Sequence, residues 1–108
     1  IVLPPSITYT QKVIFGYGMT GPGASVSMTN LVTNTGVVGN DVTGVGTARN
    51  SLAATTYGGD KALFGYGQGV SLYTAITNLV SNAGVVATDT TGVGTARSNL
   101  AAAGYSLT

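Results

Sequence analysis

Along two short segments in the first half of the chain, every second position forms the more apolar of two faces. Val13, Phe15 and Tyr17 form one face of the first segment, and Val26, Met28 and Val32 form one face of the second. Because side chains two residues apart point to the same face of a strand, this period predicts β-strands. Glycine-containing segments separate the apolar stretches at spacings that suit hairpins. The chain is therefore predicted to be all-β.

The second half of the chain repeats the first. The segment Thr29–Val32 recurs as Thr77–Val80, and residues 43–49 recur as 91–97, in each case 48 positions later. Across residues 29–58 and 77–106, 20 of 30 positions are identical. The Phe-Gly-Tyr-Gly motif at 15–18 recurs at 64–67, an offset of 49, so single-residue insertions flank this motif. Insertions are tolerated in loops, which predicts turns on both sides of it.

We divide the chain into an N-terminal arm of residues 1–10 and two repeats, residues 11–58 and 59–108. Each repeat of about 48 residues is predicted to contain four antiparallel strands, the content of a propeller blade. The predicted strands are residues 12–17, 26–32 and 37–41 in the first copy, and 52–57, 61–66, 72–80 and 85–89 in the later part of the chain. Small side chains in residues 52–54 and 100–104 suit the crowded strand nearest a propeller axis. A β-solenoid and a sandwich of two similar halves are the alternative folds.

One order of residues resembles the repeats of kelch-like propellers: Arg97-x-x-Leu100-Ala101-Ala102, then a glycine turn and a strand such as residues 61–67. The chain departs from that pattern, since it has Gly-Tyr-Gly where kelch repeats have a double glycine, and it lacks tryptophan. Residues 60–67, 77–97 and 100–105 look still more like repeats in predicted tail-fibre or appendage proteins of bacteriophages. This resemblance implies a structural or adhesive role in a virion.

Two blades cannot close a propeller ring, and a repeat unit buries its apolar face only against a neighbour. We therefore expect the fold to be completed by homo-oligomerisation. A head-to-tail interface gives a ring if the rotation closes and a filament if it does not. Three chains would supply about six blades, within the usual range, and are favoured over four chains.

The chain ends predict an additional strand. Tyr9, Tyr57 and Tyr105 are spaced by 48 residues, so residues 6–10 and 100–105 look like further copies of the strand at 52–57. One terminal strand is therefore expected to complete a sheet in an adjacent subunit, where it would cover an exposed edge.

The composition removes several classes of function. The chain has 7 charged residues, a net charge of +1, no cysteine and no histidine. Zinc fingers, haem ligation, iron–sulfur sites and catalytic pairs or triads that need histidine are therefore excluded. Four scattered basic residues give no electrostatic footprint for nucleic acid, and no apolar run reaches the length of a membrane helix. We expect no catalytic residue, no metal, no cofactor, and neither a nucleic-acid nor a membrane partner.

Six of the charged residues occur as matched pairs in the two repeats: Lys12 and Lys61, Asp41 and Asp89, Arg49 and Arg97. In a chain so poor in charge, this pairing indicates a structural role. Each arginine could form a bidentate pair with an aspartate or cap backbone carbonyl groups between blades. A ligand-binding arginine in each blade is the functional alternative.

Positions that break the repeat are candidates for ligand contact. Asp60 is the one unmatched charge and Tyr73 the one unmatched aromatic. With Tyr17 and Tyr66, they are the residues that could stack on and hydrogen-bond to a sugar. The sequence thus predicts a self-assembling virion or extracellular component, with a glycan-binding propeller lectin and an extracellular filament subunit as alternatives. The expected partners are further copies of the chain and a cell-surface glycan.

Overall fold

The computed structural model describes residues 10–106. Regular structure in this part of the chain consists of short strands without any helix, which confirms the all-β prediction. The strands are β1 (Val13–Gly16), β2 (Thr29–Val32), β3 (Ala53–Tyr57), β4 (Lys61–Gly65) and β5 (Thr77–Val80).

The strands form two antiparallel sheets, β1-β2 and β3-β4-β5. The hairpin β1-β2 and the hairpin β4-β5 have the same register, since Gly16 lies opposite Thr29 as Gly65 lies opposite Thr77. The sequence repeat is therefore also a structural repeat. Residues 6–9 of the predicted strand at 6–10 lie outside the described part of the chain, which begins at Thr10.

Strand β3 belongs to the first repeat by sequence and to the second by pairing. Tyr57 lies opposite Lys61 and Ala53 opposite Gly65, so β3 forms the outer strand of the sheet that β4 and β5 build. The first repeat thus contributes one strand to the sheet of the second.

The second and third predicted strands of each repeat are shorter than expected. Tyr17 and Tyr66 both have φ of 63°, and the glycines after them have φ of 96° and 98°. Two successive left-handed residues turn the backbone out of the strand, which ends β1 and β4 at glycine and delays the start of β2 and β5. The predicted boundaries 12–17, 26–32, 61–66 and 72–80 were wrong at these ends.

The predicted fourth strands, residues 37–41 and 85–89, are not continuous strands. They are reduced to bridges such as Val86 to Val80 and Thr90 to Thr77. The Asn78 side chain donates to the carbonyl oxygen of Ala87 at 3.1 Å and replaces ladder hydrogen bonding between these bridges. The tandem blade of four full strands is therefore not seen in residues 10–106.

The predicted strand at residues 100–105 is also absent in the described structure. Strand β3 pairs with β4, which follows it directly in the sequence. Among the described residues, no strand after residue 100 offers this segment an equivalent hairpin partner.

The hydrophobic core lies between the two repeats. Tyr17 of the first repeat packs with Phe64, Val80 and Val86 of the second, and partly buried side chains surround this cluster: Ile14, Val45, Leu52 and Ala62. The described residues form an elongated body of 63 × 34 × 21 Å. Burial is therefore concentrated where one repeat meets the next, and the repeats' outward faces lack such a neighbour.

Candidate functional site

Arg49 lies at the centre of the contact between the two repeats and is fully buried. Its Nε donates to Thr47 O at 3.0 Å. Its Nη1 donates to the carbonyl oxygens of Tyr66 and Ile76, both at 3.1 Å, and its Nη2 donates to Asn78 Oδ1. The planar guanidinium thus caps carbonyl groups of the following repeat, the second of the two structural arrangements considered from the sequence.

Tyr17 supports this arginine from the first repeat. The Arg49 guanidinium lies 4.7 Å from the centre of the Tyr17 ring, a cation–π geometry. The Tyr17 hydroxyl donates to Val45 O at 2.8 Å. Burial raises the pKa of this hydroxyl, and the Arg49 charge offsets only part of that rise. Tyr17 therefore remains a neutral donor that fixes the ring beneath the arginine.

Asp89 forms a second hydrogen-bonded contact between the repeats. One carboxylate oxygen accepts from the Thr47 N–H at 3.1 Å and from Asn78 Nδ2 at 2.9 Å, and the other accepts from the Thr47 hydroxyl at 2.6 Å. Burial acts to raise the Asp89 pKa. The hydrogen bonds from Thr47 and Asn78, together with the Arg49 charge, outweigh burial and lower this pKa below its usual range.

Aromatic packing and close backbone approach complete the contact, which we call the junction. The Phe64 ring centre lies 5.1 Å from that of Tyr17, with the ring planes tilted by 51°. Gly46 has φ of 82° and lies so close to Asp89 Oδ1 and Asn78 Nδ2 that an added Cβ would overlap both. The junction thus requires glycine at a position where a side chain would separate the repeats.

The same arginine arrangement recurs, half complete, at the open end of the second repeat. The Arg97 guanidinium lies 4.7 Å from the centre of the Tyr66 ring, and the Tyr66 hydroxyl donates to Val93 O at 2.7 Å. Arg97 Nη1 donates to Thr95 O at 3.0 Å, and the guanidinium makes no other hydrogen bond within residues 10–106. Arg97 is exposed. We call Tyr66, Val93, Thr95 and Arg97 the trailing face.

The outward face of the first repeat carries the counterparts of the residues that the second repeat supplies to the junction. Asn30 Nδ2 donates to Gly39 O at 3.2 Å and to Asp41 Oδ1 at 2.8 Å, as Asn78 donates to the corresponding atoms of the second repeat. Phe15, the counterpart of Phe64, is exposed, and so is Val38, the counterpart of Val86. We call Phe15, Asn30, Val38 and Asp41 the leading face.

The remaining candidate residues lie elsewhere. Asp60 pairs with Lys61 at 3.1 Å and accepts from Asn82 Nδ2 at 2.9 Å. The Asn82 hydrogen bond, followed by the Lys61 contact, lowers the Asp60 pKa. Asp60, Lys61 and Lys12 line a groove of about 860 Å³ between the repeats. Tyr73 is exposed on a separate loop, so the predicted glycan contacts Asp60, Tyr73, Tyr17 and Tyr66 are not brought together in one site.

Sequence reasoning missed the uncharged residues of the junction. Asn78, Thr47 and Phe64 each have an identical partner one repeat away, at positions 30, 95 and 15. That repetition was the available signal, although it does not distinguish a contact between repeats from a contact within one.

The comparisons with known proteins leave the function open. No protein-family model matches the chain, and no curated protein matches its sequence significantly. Within residues 10–106, no cluster of acidic, histidine or cysteine side chains could hold a metal ion. No helix in this same range is long and apolar enough to cross a membrane.

Proposed function

We propose that this chain is a structural subunit that assembles head to tail with further copies of itself, as a tail-fibre or appendage component of a virion. One observation carries the self-assembly: side chains buried at the junction have identical counterparts that are exposed at the two chain faces. Phe64 is 4% exposed, whereas Phe15 is 59% exposed. Val45 is half-buried at the junction, whereas Val93 is 80% exposed.

The two faces complement each other as the two sides of the junction do. The trailing face presents the arginine, tyrosine and valine that the first repeat supplies to the junction. The leading face presents the phenylalanine, asparagine, aspartate and valine that the second repeat supplies. Because apolar area removed from water contributes roughly 25 cal/mol per Å², joining these faces would remove an unfavourable exposure at both ends.

The proposed assembly is propeller-like, and three chains forming six blades are favoured. The resemblance of residues 60–67 and 77–97 to repeats of phage appendage proteins supports a virion or extracellular location. The same head-to-tail contact without ring closure would give an extracellular filament. Neither assembly requires chemistry, and the proposed role is not enzymatic.

The test is the mass of the full chain in solution. Sedimentation velocity over a hundredfold range of concentration is expected to show a discrete oligomer, which electron microscopy then images as a ring. Species that keep growing with concentration would identify the filament form of the same proposal. A monomer at every concentration would overturn self-assembly.

A second candidate function is glycan binding, and the groove between the repeats favours it. The groove combines a carboxylate, an ammonium group and an amide, from Asp60, Lys61 and Asn82, with apolar side chains such as Leu31 and Val80. Sugars are bound by such mixtures of hydrogen-bonding groups and apolar surface. A glycan array with the wild-type chain and an Asp60→Ala variant tests this candidate. No binding by the wild type would exclude it.

A further inference from the structure

We infer that Arg97 of one copy binds an arginine site on the leading face of a second copy, formed by Asn30 Oδ1 and the carbonyl oxygens of Tyr17 and Met28. The inference rests on the proposed self-assembly and names the contact that sets its polarity. These three acceptors are the counterparts of the groups that bind Arg49: Asn78 Oδ1 and the carbonyl oxygens of Tyr66 and Ile76.

The arginine site is already formed in the single chain. Tyr17 N donates to Met28 O at 3.0 Å, as Tyr66 N donates to Ile76 O at 2.9 Å. The two backbone segments therefore meet in the same way in both repeats. Asn30 is held through its Nδ2, as Asn78 is, and no hydrogen bond among the described residues reaches Asn30 Oδ1. The acceptor atoms are therefore in place. Met28 O accepts one hydrogen bond already and has a second lone pair for the guanidinium, as Ile76 O does at the junction.

The donor side is formed as well. Arg97 stacks on Tyr66 at the same 4.7 Å that separates Arg49 from Tyr17. The Tyr66 ring therefore already holds the guanidinium over the trailing face. To enter the site it turns so that Nε replaces Nη1 on Thr95 O, the arrangement that Arg49 has on Thr47 O. A preorganised donor and acceptor reduce the conformational entropy lost on binding.

A second polar contact follows from the same correspondence. Thr47 donates to Asp89 at the junction through both its N–H and its hydroxyl. The corresponding pair between copies is Thr95 of the trailing face and Asp41 of the leading face. Gly94, with φ of 89°, stands in for Gly46 and leaves room for the approaching aspartate and asparagine.

These contacts make the interface directional. The trailing face contributes the hydrogen-bond donors of the contact, and the leading face contributes the acceptors. Two trailing faces, or two leading faces, therefore cannot satisfy each other's hydrogen-bonding groups. A buried guanidinium whose donors are unmatched costs several kcal/mol, which disfavours other alignments. The interface is therefore heterologous, joining unlike faces and leaving one of each free on every open oligomer.

The experiment uses two full-length variants that disable opposite faces. Arg97→Ala removes the donor, and Asn30→Ala removes an acceptor. Each variant alone is expected to bind itself at least about 100-fold more weakly than wild type, as truncation of a buried charged hydrogen-bonding partner does. Val70→Ala, at a fully exposed position outside both faces, is the control and is expected to assemble as wild type does.

Mixing the two variants gives the decisive result. The intact trailing face of Asn30→Ala is expected to bind the intact leading face of Arg97→Ala and form a 1:1 heterodimer that grows no further in native mass spectrometry. Phe15→Ser replaces Asn30→Ala if circular dichroism shows that the latter has lost its fold.

Three outcomes contradict the inference, and they differ in what they say about self-assembly. If Arg97→Ala assembles as tightly as wild type, the arginine contact is wrong and the proposed function stands. If both folded variants are monomeric and their mixture is too, the two faces do not bind each other. If the wild type itself is monomeric at every concentration, the inference and the proposed function fail together, and the faces serve a different partner.

Discussion

Arg49 and Arg97 occupy the same local sequence, Thr-Ala-Arg, and stack on tyrosines in the same geometry. Beyond the tyrosine and the preceding threonine their surroundings differ, because a second repeat covers only Arg49. The Arg49 donors are bound to three carbonyl groups and an amide oxygen. The role of each arginine is thus decided by whether another repeat packs against its own.

The two arginines should therefore respond differently to alanine substitution. Arg49→Ala removes the donor from Asn78 Oδ1 and from the carbonyl oxygens of Thr47 and Tyr66. It is expected to lower the free energy of unfolding by about 3 kcal/mol or more. Arg97→Ala, measured where the chain is monomeric, should change it by less than about 0.5 kcal/mol. Urea unfolding followed by circular dichroism measures both values. Equal losses would show that the Arg49 contacts do not hold the junction together.

Asp89 is expected to make the free energy of unfolding decrease at acidic pH. Burial acts to raise its pKa, but the hydrogen bonds from Thr47 and Asn78 and the Arg49 charge lower it in the folded chain. In the unfolded chain the carboxyl titrates near about 3.9. The stabilisation is therefore complete above that pH and is lost as the pH falls through the lower, folded-state pKa.

The measurement is urea unfolding of wild type and Asp89→Asn from about pH 2.5 to about pH 7, a range that spans the carboxyl titration. The variant is expected to be less stable at neutral pH and to lose less stability on acidification. Some pH dependence remains in it, because Asn82 and Lys61 also lower the pKa of Asp60. Parallel pH profiles for the two chains would contradict the assignment to Asp89.

At the level of elements, β1 and β4 carry the same aromatic residue in different environments. Phe64 of β4 packs on Tyr17 across the junction, whereas Phe15 of β1 faces outward. Phe64→Ala is expected to cost about 3–5 kcal/mol of folding free energy, as for other large-to-small core substitutions. Phe15→Ala should cost the monomer less than about 1 kcal/mol. Thermal unfolding at low concentration compares them, and similar losses would place Phe15 in the core.

The strands show how far the sequence could predict this fold. Alternation at 13–17 and the exact recurrence of 29–32 at 77–80 identified β1, β2, β4 and β5, because strands leave a period of two. The alternation did not identify the buried face of β1, where Val13 and Phe15 are exposed and Ile14 is partly buried. The fourth strands were wrong because the Asn30 and Asn78 side chains take backbone carbonyl groups that a full ladder would use. The period of apolar residues along the sequence gives no sign that a side chain will compete for these carbonyl groups.

The candidate site could be predicted only in part, for a related reason. The matched charges at Arg49 and Arg97 predicted a structural role for both arginines. Capping of backbone carbonyl groups was one of the two structural arrangements considered. The acceptors that complete the site lie on another repeat, at Asn78 and at the carbonyl groups of Tyr66 and Ile76. Contacts between repeats depend on how the units stack, and the sequence of one unit does not specify that stacking.

At the scale of the whole molecule, residues 10–106 have the organisation of a short stack, with the best-packed region in the middle and two unlike faces. In repeat proteins, stability is approximately a sum of unit terms and interface terms between neighbours. The described residues contain one interface between repeats, and the proposed assembly would form another at each face. Adding copies would therefore add interfaces of the same kind, and the stability of the fold should be linked to assembly.

That linkage predicts a melting temperature that rises with protein concentration, since association with other folded copies stabilises the native state by mass action. The wild-type melting temperature is expected to increase steadily between low micromolar and millimolar concentration. Arg97→Ala should have the wild-type value at the lowest concentration and show a much smaller rise. Differential scanning calorimetry on both chains gives the comparison. A wild-type melting temperature independent of concentration would mean that the two faces do not meet in solution.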